Sequence, residues 1–125
     1  MSRYKKDLGD FGERMAAEFL MRQGYEILER NFRVPGGELD LIAETDAVLV
    51  FVEVKTRSND RFGQPAEAVD RRKQEHMRRA AAYYLMLYPA EKEVRFDVIE
   101  IFASMQDGVP FLKDLRHIPG IILEG

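Results

Sequence analysis

The residues best suited to chemistry in this 125-residue chain lie in two short blocks, Gly37-Glu38-Leu39-Asp40-Leu41-Ile42 and Phe51-Val52-Glu53-Val54-Lys55-Thr56-Arg57. Two carboxylates beside an ammonium could hold one small, hard cation between them, and such a cation promotes attack of water on a phosphate ester. Side chains alternate along a strand, so Glu38, Asp40 and Ile42 share one face, and Leu49, Phe51, Glu53 and Lys55 share one face of the next. A two-residue loop at Thr45-Asp46 or at Asp46-Ala47 allows two registers. Both put Asp40 and Glu53 on the same side of the sheet, and the second sets them directly opposite, with Cβ atoms about 4.5–5.5 Å apart. Like charges that close are unfavourable without a cation. The plainer alternative is a solvated face or a structural ion pair. Against it stands the company they keep: Val48, Leu49, Val50, Phe51, Val52 and Val54 form a central strand, where charges need partners.

The elements that must position these groups follow from periodicity and punctuation. Leu8, Met15, Ala16, Phe19 and Leu20 recur at helical spacing from about Leu8 to Arg22, with Gly24 as a stop. Strands are expected over Tyr25 to Arg33, Glu38 to Glu44 and Ala47 to Lys55, with a turn at Pro35, Gly36 and Gly37. A loop with Ser58, Asn59, Asp60, Gly63 and Pro65 leads to a helix from Glu67 to about Tyr88, stopped by Pro89. Further strands cover Val94 to Ala103 and about Val109 to Arg116, and the tail Ile121 to Leu123 docks on the sheet or pairs with another subunit. The helix between the third and fourth strands lets those two lie parallel, while the short loops before them favour antiparallel pairing. The predicted order is α-β-β-β-α-β(-β): an α/β mixed central sheet flanked by helices, as one domain over 1–125. On the second helix Val69, Lys73, Met77, Ala80, Ala81 and Tyr84 share a side, so Lys73 faces the core near the N-terminal end and needs an anion or a route to the rim. Glu13 borders the buried stripe of the first helix, where a first-turn glutamate also suits the helix dipole.

Composition narrows the classes. Nineteen basic against twenty-two acidic residues give a net charge of −3, so nucleic acid would have to meet a local basic face rather than the whole molecule. Cysteine is absent and only His76 and His117 supply imidazoles, which excludes disulfide frameworks, thiolate zinc sites and histidine-rich metal centres. The longest apolar run, Ala80 to Tyr88, has nine residues, too few to cross a membrane, and the start of the chain is polar rather than signal-like. A soluble, cytoplasmic protein is expected, with no membrane partner.

Acid on a second strand, Glu-x-Lys on a third and glutamate on a preceding helix resemble the restriction-endonuclease-like nuclease fold. More closely, Gly12-Glu13, the two blocks above, Ala68-Val69, Lys73, Ala81-Ala82, Tyr84-Leu85 and Arg95-Phe96-Asp97-Val98 resemble the bacterial YraN-like family, itself regarded as nuclease-like. The resemblance covers roughly Gly9 to Ile101, and the spacing is also similar to that of archaeal Holliday junction resolvases. It implies that Asp40, Glu53 and the backbone carbonyl of Val54 bind Mg²⁺, with Mn²⁺ as a substitute. It implies that Lys55 orients or deprotonates the attacking water, that Glu13 helps hold the metal or its water, and that Glu38 is an auxiliary acid. Leu39 stands where the broader fold often has proline.

The expected activity is Mg²⁺-dependent hydrolysis of nucleic-acid phosphodiester bonds, in DNA, with branched or junction DNA among the candidate substrates and a homodimer implied by the resolvases. The alternative is a non-catalytic nucleic-acid-binding or assembly module on the same fold. Arg57 and Lys73 are the candidate backbone contacts. Arg61, Arg71, Arg72, Arg78 and Arg79 cluster nearby, and a solvated helix face is the ordinary reading of the last four.

Overall fold

The computed structural model describes residues 3–58 and 69–123. Asn59, Asp60, Arg61, Gly63, Pro65 and the expected helix start at Glu67 lie outside the described residues. The order is α1 (Arg3–Arg22), β1 (Glu26–Val34), β2 (Gly37–Glu44), β3 (Val48–Arg57), α2 (Arg71–Leu87), β4 (Glu93–Gln106) and β5 (Val109–Ile118). The five strands form one mixed sheet in chain order, β1-β2-β3-β4-β5. Only the β3–β4 pair, joined through α2, is parallel; the other three are antiparallel.

The apolar run of β3 is central because both of its faces are covered. Val48, Val50 and Val52 pack with Leu8, Phe11, Ala16, Ala17 and Leu20 of α1. Leu49 and Phe51 pack with Met77, Ala80, Ala81 and Tyr84 of α2, as the helical stripe predicts. Helix α1 begins at Arg3, a turn earlier than Leu8, and buries Phe11 and Ala17 together with Leu8, Ala16 and Leu20, while Met15 and Phe19 are partly buried. Helix α2 begins at Arg71, because Asp70 is extended (φ −68°, ψ 164°) and its Oδ1 accepts the Lys73 backbone N–H at 2.8 Å. That cap places Val69 and Asp70 before the helix rather than inside it. The tail docks on its own sheet: the Ile121 N–H donates to the Phe96 carbonyl at 2.8 Å, and its side chain joins the α2-side core.

Both margins of the sheet are irregular. On β1 the register shifts between Ile27 and Glu29, and Asn31 takes a left-handed backbone (φ 53°). On β5 Lys113 is the extra residue where pairing with β4 shifts between Phe102 and Ala103, and Pro110 lacks an N–H.

Two glycines set how closely the helices lie on the sheet. A Cβ at Gly12 would overlap the Thr56 hydroxyl of β3, and one at Gly37 would lie 2.8 Å from both the Ala80 nitrogen and the His76 carbonyl oxygen of α2. The second collision is with backbone, which no rotamer relieves. Gly37→Ala is expected to cost about 1–3 kcal/mol as overpacking does. Gly9→Ala, where a Cβ would meet nothing within 4 Å, should instead gain about 0.5–1 kcal/mol of helix propensity. Urea midpoints of the two variants, moving in opposite directions, check both statements.

Candidate active site

Strands β2 and β3 pair in the register set by the Asp46-Ala47 loop, with Leu41 opposite Val52 and Ile42 opposite Phe51. One step further along, Asp40 and Glu53 face each other, and there the ladder gives way to a side chain. The Val54 backbone N–H donates to Asp40 Oδ2 at 2.8 Å. This contact fixes one Asp40 oxygen and turns its carboxylate toward β3. The two acids meet in a cleft of about 440 Å³ at the end of β3, lined also by Glu13, Val54, Thr56 and Lys73. Tyr4 and Lys5, from the first turn of α1, contribute to its wall.

The electrostatics are those of charges crowded into a protein interior. Glu53 is only 7% exposed, and its Oε1 is buried without a hydrogen-bond partner. Burial first, then its hydrogen bond with Asp40 and the Asp40 charge, push the Glu53 pKa up to about 8, against a smaller pull from Lys73. Lys73 Nζ lies 3.3 Å from Glu53 Oε2 and donates to Glu38 Oε1 at 2.9 Å. Burial disfavours that ammonium, but the Glu38 hydrogen bond and the charges of Glu53, Asp40 and Glu38 outweigh it and raise the Lys73 pKa. Glu38 is held below the usual carboxylate range by the hydrogen bond and charge of Lys73. Glu13 is raised by burial and by Asp40, with a hydrogen bond to Asn31 working the other way.

Asp40, Glu53, Val54, Glu13 and Lys73 are therefore brought together, and Glu38 reaches the group through Lys73. Lys55 is half-buried one alternation beyond Glu53, opposite Glu100 of β4, and is not among the residues lining the cleft. Arg57 donates to Glu100 Oε2 at 2.9 Å, away from the carboxylates, and Glu100 is itself 1% exposed. Arg78 and Arg79 pair with Glu75 at 3.1 and 3.8 Å along the solvent side of α2, the ordinary solvated face.

Asn31 is a member of the site that the sequence did not flag. The pairs Arg30–Leu41 and Phe32–Leu39 on either side set it beside Asp40, and from there it reaches Glu13. The available signal was its type, since Asn is among the few residues that tolerate a left-handed backbone, and strain of this kind gathers at functional sites.

The donor set fits a hard divalent ion. All of its candidate ligands are oxygens, one buried carboxylate oxygen lacks a partner, and the paired acids repel until a cation or proton lies between them. Among the described residues no group of three or more His, Asp or Glu side chains is placed to hold a metal. Two carboxylates and a carbonyl suit Mg²⁺, which retains several waters, better than a cage of protein ligands. Among the described residues no helix is long and apolar enough to cross a membrane.

Residues 12–101, which include every one of the acids and Lys73, match the sequence model of an uncharacterised protein family, UPF0102. Similar chains include a UPF0102 protein of Beutenbergia cavernae, 50% identical over 93% of this chain and 98% of the relative. Another from Caldicellulosiruptor saccharolyticus is 46% identical over 84% and 90%. A third, from Clostridium perfringens, is 44% identical over 94% and 100%.

Proposed function

The chain belongs to the uncharacterised protein family UPF0102, and from that footing we propose that it is a Mg²⁺-dependent nuclease of the restriction-endonuclease-like kind, hydrolysing phosphodiester bonds of nucleic acid, DNA foremost. The observation that carries this reading is Glu53, a buried carboxylate with an unpartnered oxygen, pressed against Asp40 in an open cleft. A purely structural acid would have its lone pairs satisfied.

In this reading Asp40, Glu53 and the Val54 carbonyl hold Mg²⁺ or Mn²⁺. When bound, the ion would lower the pKa of the attacking water and neutralise phosphate oxygens. Asp40 is aligned for its part by the Val54 N–H. Glu13, whose pKa is raised by burial and by the Asp40 charge, would position the water, and Asn31 would orient Glu13.

The test is a panel of plasmid, single-stranded and branched DNA and RNA, assayed with Mg²⁺, with Mn²⁺ and with chelator. Divalent-dependent cleavage that chelator abolishes is expected. Absence of turnover on every substrate would sink the reading. One observation favours a second reading, a non-catalytic binding module: Lys73 already balances Glu53 and Glu38 with its own charge. Salt-sensitive gel shifts without turnover under any divalent ion would be its signature.

A further inference from the structure

Resting on the nuclease reading, we propose that the ammonium acting on the scissile phosphate is that of Lys73 on helix α2, not that of Lys55 on strand β3, and that Glu38 positions it. Three observations converge. Lys73 lines the cleft that holds Glu13, Asp40 and Glu53, whereas Lys55 does not. Its Nζ lies within 3.3 Å of Glu53, the carboxylate whose other oxygen is buried and unpartnered. Its location also runs against local preference.

That third point is energetic. The first turn of α2 reads Arg71-Arg72-Lys73, three cations against the single acid of the Asp70 cap, at the end of a helix where backbone N–H groups already make the potential positive. Such a turn is disfavoured in an isolated helix. A local rule broken at the mouth of a cleft, with a buried anion facing it, points to a site where negative charge arrives. The Asp70 cap accepts the Lys73 N–H itself, so the helix start is fixed at the residue that carries the ammonium. Glu38 then holds Nζ at 2.9 Å from the partly exposed side of the cleft.

The chemistry follows from the positions. Water adds to phosphorus as the ester oxygen leaves; the water's proton passes to Glu13 and on to solvent, and the leaving oxygen takes a proton from solvent. Meanwhile negative charge grows on the phosphoryl oxygens and the leaving oxygen. An ammonium already partly buried and held beside the metal-binding carboxylates stabilises that charge with little reorganisation. On this view Lys73 is the catalytic cation, and Glu38 is a positioning residue that acts through it.

The experiment compares Lys73→Met, Lys73→Arg, Glu38→Gln and Lys55→Ala with wild type, in Mn²⁺-dependent cleavage of whichever panel substrate the wild type cuts. Methionine preserves the aliphatic stem, and urea midpoints confirm that each variant is folded. Lys73→Met is expected to lower kcat about 100- to 1,000-fold, the usual effect of removing one transition-state charge contact, with KM changed less than threefold. Lys73→Arg should recover at least tenfold of that loss, which a packing role would not require. Glu38→Gln should fall about tenfold, and Lys55→Ala by less than that. If Lys55→Ala abolishes cleavage while Lys73→Met stays within threefold of wild type, the assignment is overturned and the nuclease reading stands. If the wild type cuts nothing in the panel, both fall together.

Discussion

Glu53→Gln is expected to lose at least 1,000-fold in divalent-dependent cleavage while becoming more stable than the wild type. The two effects share one cause. The amide removes the charge that a divalent ion would bind, and it also removes the cost of burying that charge against Asp40. Because Glu53 titrates from an ordinary 4.5 up to about 8 on folding, the folded protein binds more protons than the unfolded chain between those values. Stability contributed by this group is therefore fully present at low pH and declines as pH rises through about 8. Wild-type urea stability should fall between about pH 4.5 and 8, and the Gln variant should lack that fall. The amide also gives up the ion pair with Lys73, a partial offset, so the net gain at about pH 8.5 is on the order of 1–2 kcal/mol. A variant that is inactive and less stable would show that Glu53 holds the fold rather than the reaction.

Asp97→Ala is expected to be the most damaging substitution for folding, at about 3–5 kcal/mol, a large share of the stability of a domain this size. Asp97 is fully buried and accepts four contacts. Arg95 donates through Nε and a terminal nitrogen at 2.8 and 2.9 Å, His117 Nε2 lies at 2.7 Å, and the Gly120 N–H donates at 3.0 Å. Arg95 also donates to the Tyr25 hydroxyl at 2.7 Å, so one carboxylate joins β4, β5, the tail and the link between α1 and β1. Burial alone would raise the Asp97 pKa, but the bonds from His117, Arg95 and Gly120 hold it below the ordinary value of 3.8. Its contribution is therefore present above the unfolded value and is lost as pH falls through the lower folded one. Removing the carboxylate leaves the Arg95 cation beside an imidazole, without the counter-charge that justified burying them. Asp97→Asn, which keeps the shape, should cost roughly half as much, and urea unfolding at pH 7 measures both. A loss below 1 kcal/mol for the alanine variant would show that the network is dispensable.

What could be read in advance depended on how local each cause was. The apolar run of β3, the strand order and the convergence of Asp40 on Glu53 follow from periodicity and a short loop, and the pairing of Leu41 with Val52 matches one of the two registers available. The start of α2 was misplaced because Glu67 continues a helical pattern, while the Asp70 cap that ends it is a matter of backbone geometry. Asp97 gave no warning. An acid inside an apolar strand looks like an outward-facing residue until partners from β5 and the tail, far along the chain, are brought against it. The entry of Asn31 into the site depends on the shifted register of β1 on β2, which sets it beside Asp40 and which spacing alone does not encode.

The irregular margins of the sheet carry a consequence for assembly. With a bulge and a left-handed Asn31 on one border, and Pro110 and the extra Lys113 on the other, neither border offers the straight row of free amides and carbonyls on which a neighbouring chain could zip. Backbone templating between copies is thereby disfavoured, and a two-fold pair built from side chains would meet no such obstacle. Any such pairing would then be sensitive to surface substitution and to salt, and could come apart without disturbing a single strand.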